Sequence, residues 1–388
     1  IPDAYPRALR IPLALHVIEA TIRVGDADRA QEFSENLSAE DLFPKERSKW
    51  LYLSGLKDEV AGDFEAAVGN FELAIAGVDR PSRIFASVAR AELLLEMERA
   101  NIMTTINSLE KLRFAWRGGQ FEFDLLRRLG DLYLSQGGFR QGLSTLRQAA
   151  TYFREREGAE QVTQRMSDTF SYLYLQDGAD RMPPVTAIAL YEEFKELTPV
   201  GELGDQMIRK LSDRLVKVDL LTEAAALLDG QIKFRLQGVD KARVGAQLAI
   251  VRMLAKDYAG ALKALDGSEG EDLPPALAVQ RVQLRSRAMM GVGESMGALL
   301  LLEEDESRQA EQLRAESYWS SKDWPRAAQS LRKIIRIDAA PNDEPLDPEQ
   351  ALNILNYAIA LTLSGNDRGL GVLREKYGAA MYATDLKD

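Results

Sequence analysis

The stretch that most constrains the fold of this chain is residues 122–151, EFDLLRRLGDLYLSQGGFRQGLSTLRQAAT. Its first half carries apolar residues at helical spacing, a Gln-Gly-Gly turn follows, and the second half resumes the helical spacing. Gly130 and Gly142 are small where two helices would approach closely, and Leu146 is large beside them. This combination is typical of a tight antiparallel helix hairpin.

The rest of the chain repeats this hairpin, with short turns and no convincing strand pattern. The periodicity predicts about ten helix pairs: 7–24 with 25–36, 45–61 with 63–77, 84–98 with 100–116, the two halves of 122–151, 158–177 with 184–197, 203–217 with 220–235, 240–255 with 257–266, 274–290 with 294–304, 306–321 with 323–337, and 348–364 with 366–378. The fold class is therefore all-α. We expect a single α-solenoid over 1–388, with candidate hinges in the Gly- and Pro-rich segments 266–275 and 337–348.

Composition excludes several classes of function. Of the 388 residues, 46 % are hydrophobic and 28 % charged, as in ordinary folded proteins, and the net charge of −11 argues against a nucleic-acid partner. The chain has no cysteine, which removes disulfides, thiolate catalysis and zinc ribbons. No apolar run approaches the ~20 residues of a membrane span. We expect a soluble bacterial protein of the periplasm or the cytoplasm, with the periplasm preferred because cysteine is absent.

Candidate catalytic and ligand-binding motifs are weak. His16 is the only histidine and lies on a mixed helix face, where a structural or solvated role is expected. The glycines of 291–297 follow a helix and not a strand, which argues against a nucleotide loop. Segment 266–271 has Glu where a calcium loop needs its sixth-position Gly. The sequence therefore predicts no cofactor, no metal and no enzymatic activity.

Four hairpins align residue by residue when they are superimposed on their turns. The aligned residues are Gly55, Ala67, Phe71 and Ala74; Gly130, Gly142, Leu146 and Ala149; Ala249, Ala261 and Leu265; and Ala315, Tyr318, Ala327 and Leu331. The turns read Gly62-Asp63-Phe64, Gly137-Gly138-Phe139, Lys256-Asp257-Tyr258 and Lys322-Asp323-Trp324. An Asp directly before the second helix is a predicted N-cap.

This pattern resembles the tetratricopeptide repeat (TPR), whose unit of ~34 residues has small residues, an aromatic residue and a small polar turn at such places. The resemblance implies an irregular right-handed superhelix in which the first helix of each pair lines a concave groove. The groove positions that it implies are Lys49, Tyr52, Leu56 and Glu59 in the second pair, and Asp124, Arg127, Arg128 and Asp131 in the fourth.

An unusual cluster of arginines and aromatic residues precedes and enters the fourth pair. It contains Arg113, Phe114, Trp116, Arg117, Phe121, Phe123, Arg127 and Arg128. Arginines beside aromatic rings could dock an acidic segment or stack on bases. Alternatively, the rings fill a junction between helix pairs while the arginines reach water. Arg113, Trp116 and Arg117 therefore join the groove residues as candidate partner-binding residues.

The leading functional hypothesis is a non-enzymatic scaffold that binds a protein segment or subunit in its groove. The alternatives are a structural component of a larger bacterial envelope or motility assembly, and a regulator that binds a small ligand. The partner is expected to be a protein, and the sequence leaves a homo-oligomer open.

Overall fold

A computed structural model describes residues 6–37, 42–338 and 345–385, and within these ranges every helix or strand assigned is a helix. The α-helices are α1 (Arg7–Arg23), α2 (Ala27–Glu35), α3 (Pro44–Val60), α4 (Phe64–Ala76), α5 (Arg80–Glu96), α6 (Ile102–Leu112), α7 (Gly119–Ser135), α8 (Phe139–Tyr152), α9 (Ala159–Leu175), α10 (Pro184–Glu193), α11 (Glu202–Lys217), α12 (Leu221–Phe234), α13 (Gly238–Leu254), α14 (Tyr258–Asp266), α15 (Pro275–Val292), α16 (Ser295–Leu301), α17 (Arg308–Ser320), α18 (Trp324–Ile337), α19 (Pro348–Leu363) and α20 (Asp367–Tyr382). Short 3₁₀ turns occur at Gly178–Arg181 and Lys195–Leu197.

The helices follow the predicted pairs, from α1 with α2 to α19 with α20, so the all-α helical-repeat prediction is confirmed. Within most pairs the two helices pack closely, as α3 does on α4 and α17 on α18. First helices of neighbouring pairs also pack on one another, which places α1, α3 and α5 side by side, and likewise α13, α15 and α17.

The helices that end earliest relative to the prediction are α6 and α10, by four residues each. α6 ends at Leu112 and not at residue 116, because the chain turns there, with the Ala115 N–H donating to the Leu112 carbonyl at 2.9 Å, and Trp116 packs on Phe85 instead of continuing the helix. α10 ends at Glu193 and not at residue 197, since Phe194 leaves the helical region with φ −127° and a 3₁₀ turn follows.

The predicted small residues lie at helix crossings. A Cβ atom at Gly142 would lie 2.6 Å from Cδ2 of Leu134, and one at Gly130 would overlap the Leu146 side chain. A Cβ at Gly55 would likewise overlap the ring of Phe71. These glycines let α7 approach α8 and α3 approach α4 closely.

Three of the turns inside the pairs share one construction, in the α3–α4, α13–α14 and α17–α18 pairs. Asp63, Asp257 and Asp323 cap the following helices, as predicted. Their side chains accept hydrogen bonds from the backbone N–H groups of Ala66, Gly260 and Arg326 at 3.1, 2.9 and 3.2 Å. The residue before each cap has positive φ: 82° at Gly62, 59° at Lys256 and 58° at Lys322. Each turn thus needs one left-handed residue and one capping side chain.

Packing divides the chain into two compact units, Ile1–Phe170 and Ser171–Asp388, and the division falls inside α9. Neither candidate hinge coincides with it. Segment 266–275 joins α14 to α15 and contains the fully buried Ser268. Residues 339–344 of the other segment lie outside the described residues. The single solenoid and both hinges stay predictions.

Each unit has a core built from successive, overlapping clusters. In the first unit, one cluster joins α1, α2 and α3 around Ile18 and Leu53, the next joins α3, α4 and α5 around Phe71, and a third joins α5, α6 and α7 around Leu129. In the second unit, clusters link α13 to α15, α15 to α17 and α17 through α20. Each pair therefore buries its apolar faces against its neighbours, as repeat proteins do.

Among the described residues, none of the helices combines the length and the apolar character that crossing a membrane would require.

Candidate functional site

The first helices of neighbouring pairs in the first unit present one shared face, and three of the predicted groove residues line it on α3. Lys49 forms an ion pair with Glu19 of α1, with Nζ 3.1 Å from Oε2. The ring of Tyr52 lies 5.9 Å from the ring of Phe85 on α5. Burial, followed by the charges of Glu19 and Glu59, raises the pKa of Tyr52 to about 12. The Tyr52 hydroxyl therefore stays protonated at neutral pH.

Acidic side chains dominate this face between α3 and α5. Burial raises the pKa of Glu59, and the charges of Glu96 and Glu92 on α5 raise it further. A carboxylate brought here from a partner would meet the same repulsion. This end of the face therefore disfavours acidic partners.

Between α7 and α9, positively charged side chains take the place of the acidic ones that lie between α3 and α5. Arg127, Arg128 and Asp131 of α7 meet Arg165 of α9 around a cavity of about 520 Å³, which we call the arginine slot. Leu132, Leu146 and Val162 also line the arginine slot and give it an apolar part. The residues that line it carry three guanidinium groups and one carboxylate, and two further carboxylates, Asp124 and Glu92, lie beside Arg127 and Arg128 without lining it.

The ion pairs around the arginine slot are exposed and easily exchanged. Arg165 Nε lies 3.2 Å from Asp131 Oδ1, and Arg127 lies 3.7 Å from Asp124. Arg128 Nε lies 2.9 Å from Glu92 Oε1 on α5. The three arginine side chains are 53 %, 53 % and 43 % exposed in the same order. Exposed pairs of this kind contribute only about 0–1 kcal/mol each, so a partner carboxylate can replace the intramolecular one at little cost.

The arginine–aromatic cluster of the sequence divides into two groups in the structure. The rings of Trp116 and Phe121 pack on Phe85 with centroid distances of 5.9 and 4.9 Å, which fills the junction between α5 and α7. Arg117 forms an ion pair with the buried Glu122 at 3.1 Å. These contacts match the alternative in which the aromatic residues fill a helix junction.

Arg113 points away from the groove residues. Its guanidinium donates to Glu110 on α6 and to Gln148 on α8, at 3.2 and 2.7 Å. Both helices are second helices of their pairs, whereas the arginine slot belongs to the first helices α7 and α9. The structure thus brings together Arg127, Arg128 and Asp131 and leaves Arg113 apart from them. Partner binding by any of these residues stays a prediction.

Sequence reasoning missed Arg165, Phe85 and Glu92, which complete the shared face. A signal for Arg165 exists in the sequence, since it lies 34 residues after Asp131, one repeat length, and bears the opposite charge. Arg99 and Glu65 follow the same rule. Opposite charges one repeat apart therefore indicate contacts between neighbouring pairs.

A larger cavity of about 600 Å³ lies in the second unit between the end of α9 and α11. Two cationic side chains that line this cavity form hydrogen bonds with the main chain. Lys210 donates to the Leu175 carbonyl at 2.7 Å, and Arg214 donates to the Met182 carbonyl at 2.8 Å. These bonds hold the end of α9 and the end of the 3₁₀ turn at Gly178–Arg181, so this cavity is a weaker candidate than the arginine slot.

Neither a metal site nor a histidine-based site emerges from the described parts of the chain. No group of three potential metal-ligating side chains occurs within residues 6–37, 42–338 and 345–385. His16 is exposed, and its Nδ1 lies 2.8 Å from the Pro12 carbonyl oxygen within α1.

No protein-family model matches this chain, and no curated protein matches it. Several solved structures of helical-repeat proteins are similar to this chain. A Rap protein in complex with competence and sporulation factor is 12 % identical with a TM-score of 0.34, covering 86 % of this chain and 98 % of its own. The apo quorum sensor NprR from B. thuringiensis is 12 % identical with a TM-score of 0.32, covering 85 % and 99 %. A tetratricopeptide repeat protein from Parabacteroides merdae is 12 % identical with a TM-score of 0.29, covering 72 % and 98 %. These scores are too low to support an argument about function.

Proposed function

We propose that the protein is a non-enzymatic interaction module that binds an acidic segment of a protein partner on the shared face of the first helices in its first unit. The observation that supports this proposal is the arginine slot, where three half-exposed arginines surround an apolar-lined cavity. Arginine favours carboxylates because its guanidinium offers a planar set of donors.

The charge distribution along the face sets the orientation of the segment. Its acidic part would lie between α7 and α9, because Glu59, Glu92 and Glu96 repel carboxylates between α3 and α5. The apolar lining of the arginine slot favours a small apolar side chain next to each acidic one. An alternating pattern of acidic and small apolar residues therefore suits this site best.

Binding of a defined probe tests this proposal. A fluorescein-labelled peptide that alternates Glu and Ala, with an amidated C-terminus, is titrated with the full chain and followed by fluorescence anisotropy. Arg127→Ala and Arg165→Ala should each weaken binding about five-fold, the equivalent of about 1 kcal/mol for one exposed charge contact. A peptide that alternates Gln and Ala should bind more weakly than the acidic probe.

The matched control is Lys111→Ala, which removes one exposed positive charge from α6, a second helix. It should change binding of the acidic probe by less than about two-fold, since a distant exposed charge is largely screened by salt. If Lys111→Ala weakens binding as much as Arg165→Ala does, attraction is nonspecific and the arginine slot is not the site.

A further inference from the structure

A small cavity in the second unit lies where the end of α18 meets α19 and α20, and a carboxylate forms part of its lining. Its volume is about 30 Å³, and we call it the Asp338 pocket. Its polar lining includes Asp338, Asn353 and Tyr377, and its apolar lining consists of Ile335, Leu346 and Ile354. One water molecule occupies about this volume in the liquid, so the pocket admits a single small group.

The carboxylate of Asp338 has one oxygen with a partner and one without. Oδ1 accepts a hydrogen bond from Arg308 Nε at 2.6 Å. Oδ2 is buried and has no hydrogen-bond partner within the described residues, in a side chain that is only 14 % exposed. A buried carboxylate oxygen without a partner is unfavourable, so Oδ2 favours a donor that enters the pocket.

The amide of Gln350, which also lines the pocket, is held by the main chain on both of its sides. Nε2 donates to the Asp338 carbonyl at 2.9 Å, and Oε1 accepts from the Asp347 N–H at 3.1 Å. Asn353 on α19 and Tyr377 on α20 add an amide and a hydroxyl to the lining. The pocket thus offers oxygen acceptors from three parts of the second unit.

The charges around the pocket leave one negative charge in excess. Asp338 and Glu349 share a single cation, since Arg308 Nη2 also lies 2.7 Å from Glu349 Oε1. Asp347 and Lys376, which contact lining residues, balance one another. Three carboxylates and two cations therefore give a sum of −1.

The helix ends at the pocket favour the same sign of ligand. Asp338 is the C-cap of α18, where the last carbonyl groups of the helix carry partial negative charge. The N-terminus of α19 would oppose a cation, but the Asp347 carboxylate already caps it by accepting from the Gln350 N–H at 2.8 Å. The pocket therefore favours a positively charged group.

Size, charge and hydrogen bonding together select the ligand. A primary ammonium group is about as large as a water molecule, carries one positive charge and has three N–H donors and no acceptor. A water molecule would also bond Asp338 Oδ2 but would leave the excess charge in place. We propose that the Asp338 pocket binds a primary ammonium group at the end of an alkyl chain. The alkyl chain leaves the pocket along Leu346 and Tyr377, which are half-buried and reach the surface.

This site does not depend on the proposed function. The arginine slot lies in the first unit and attracts carboxylates, whereas the Asp338 pocket lies in the second unit and attracts a cation. A ligand of few atoms has a limited binding free energy, so binding is expected at millimolar concentration.

Nuclear magnetic resonance detects such weak binding at a single side chain. The full chain is labelled with ¹⁵N in asparagine, and the side-chain amide signal of Asn353 is assigned by its absence from the variant Asn353→Leu. The probe is n-propylammonium chloride at constant ionic strength. We expect a saturable shift of the Asn353 signal, because the ammonium group enters the pocket that this side chain lines.

Three other probes, added to the unmodified chain, separate ammonium binding from other causes. They are 1-propanol, which is uncharged, potassium chloride, which has no N–H donors, and tetramethylammonium chloride, which is too large for the pocket. Each should leave the Asn353 signal in place. A potassium shift as large as the n-propylammonium shift would make the pocket an alkali-cation site. An equal shift with 1-propanol or tetramethylammonium, or no saturable shift with n-propylammonium, would equally overturn the proposal.

A pair of variants tests the role of the carboxylate. Asp338→Asn should weaken n-propylammonium binding at least about ten-fold, because it removes the charge and keeps the shape. Glu375→Gln is the matched control, since it removes an exposed carboxylate from α20, and it should change the affinity by less than about two-fold. Circular dichroism checks that both variants keep their helix content. Equal weakening by the two variants would contradict a site at Asp338, and the probe series decides the matter if Asp338→Asn does not fold.

A last probe distinguishes two sources of the ammonium group. Nα-acetyl-lysine N-methylamide presents the same group on the side chain of a blocked lysine. Affinity at least equal to that of n-propylammonium would support the proposal with a lysine side chain of a protein as the ligand. Much weaker binding of the blocked lysine would support it with a small free amine as the ligand. Neither result involves the arginine slot, so the proposed function is tested separately.

Discussion

Gly130 is the residue on which the close packing of α7 against α8 depends most directly. It is buried, and a side chain there would enter the space of Leu146. Gly69 on α4 offers the opposite case, since it is exposed and a Cβ atom there would meet nothing within 4 Å. The same residue type thus has two roles, and only the neighbours distinguish them.

Substitution by leucine tests this distinction. Gly130→Leu should lower the free energy of unfolding by about 1–3 kcal/mol through overpacking. The matched control, Gly69→Leu, should raise it by a few tenths of a kcal/mol, because leucine favours a helix more than glycine does. Urea unfolding followed by circular dichroism measures both. Equal effects of the two substitutions would mean that α7 and α8 do not cross at Gly130.

At the residue scale, the sequence was sufficient wherever local chemistry determines the role. Asp63 and Asp323 were predictable as caps because a cap bonds a backbone group three residues away. The direction of Arg113 was not predictable, since its partners Glu110 and Gln148 lie on two helices and one of them is 35 residues distant. Contacts of that kind depend on how neighbouring pairs pack.

At the element scale, several turns inside the helix pairs share a left-handed residue directly before the N-cap position. Gly62 and Gly137 adopt this conformation without cost to a side chain, with φ of 82° and 75°. Lys322 adopts it with φ 58° and carries a Cβ atom, which costs about 1–2 kcal/mol in this region. The α17–α18 turn is therefore strained relative to the turns that have glycine at this position, and the α13–α14 turn shares the strain at Lys256, with φ 59°.

Lys322→Gly should relieve this strain and raise the free energy of unfolding by about 0.5–1 kcal/mol, after the greater entropy of glycine in the unfolded chain is taken into account. Tryptophan fluorescence during urea unfolding reports on this turn, because the rings of Trp319 and Trp324 lie 5.3 Å apart beside it. Lys322→Ala is the control, since it removes the lysine but keeps the Cβ atom. A gain with Lys322→Ala equal to that with Lys322→Gly would assign the effect to the lost charge.

Helix pairs were predictable because each is a local unit with apolar periodicity, a turn and a cap. The residues at which α6 and α10 end were harder to predict. After Leu112 the chain must reach Gly118 and Gly119 and bring Trp116 onto Phe85, and this long-range contact ends the helix early. The 3₁₀ turn at Gly178–Arg181 also escaped prediction, since its sequence shows no periodic signal.

At the scale of the whole molecule, the two units carry different polar surfaces on their first helices. The first unit has the arginine slot between α7 and α9, and the second has a smaller cavity between α15 and α17 whose polar lining is mostly glutamine. The division after Phe170 was not predictable, because it lies inside one continuous helix and depends on packing between distant residues. The acidic and basic ends of the shared face could not be predicted for the same reason. Glu92 and Arg165 become part of the shared face only when neighbouring pairs pack on one another.

The central claim is that the charge of the arginine slot selects an acidic segment, and exchanging charges between protein and probe tests it most directly. Arg127→Glu should lower affinity for the Glu/Ala peptide on the order of ten-fold, which corresponds to about 1.4 kcal/mol. The same variant should bind a Lys/Ala peptide more tightly than the unmodified chain does. Fluorescence anisotropy measures the affinity of both chains for both peptides. The claim is contradicted if the variant binds each peptide with the affinity of the unmodified chain, or if it loses affinity for both.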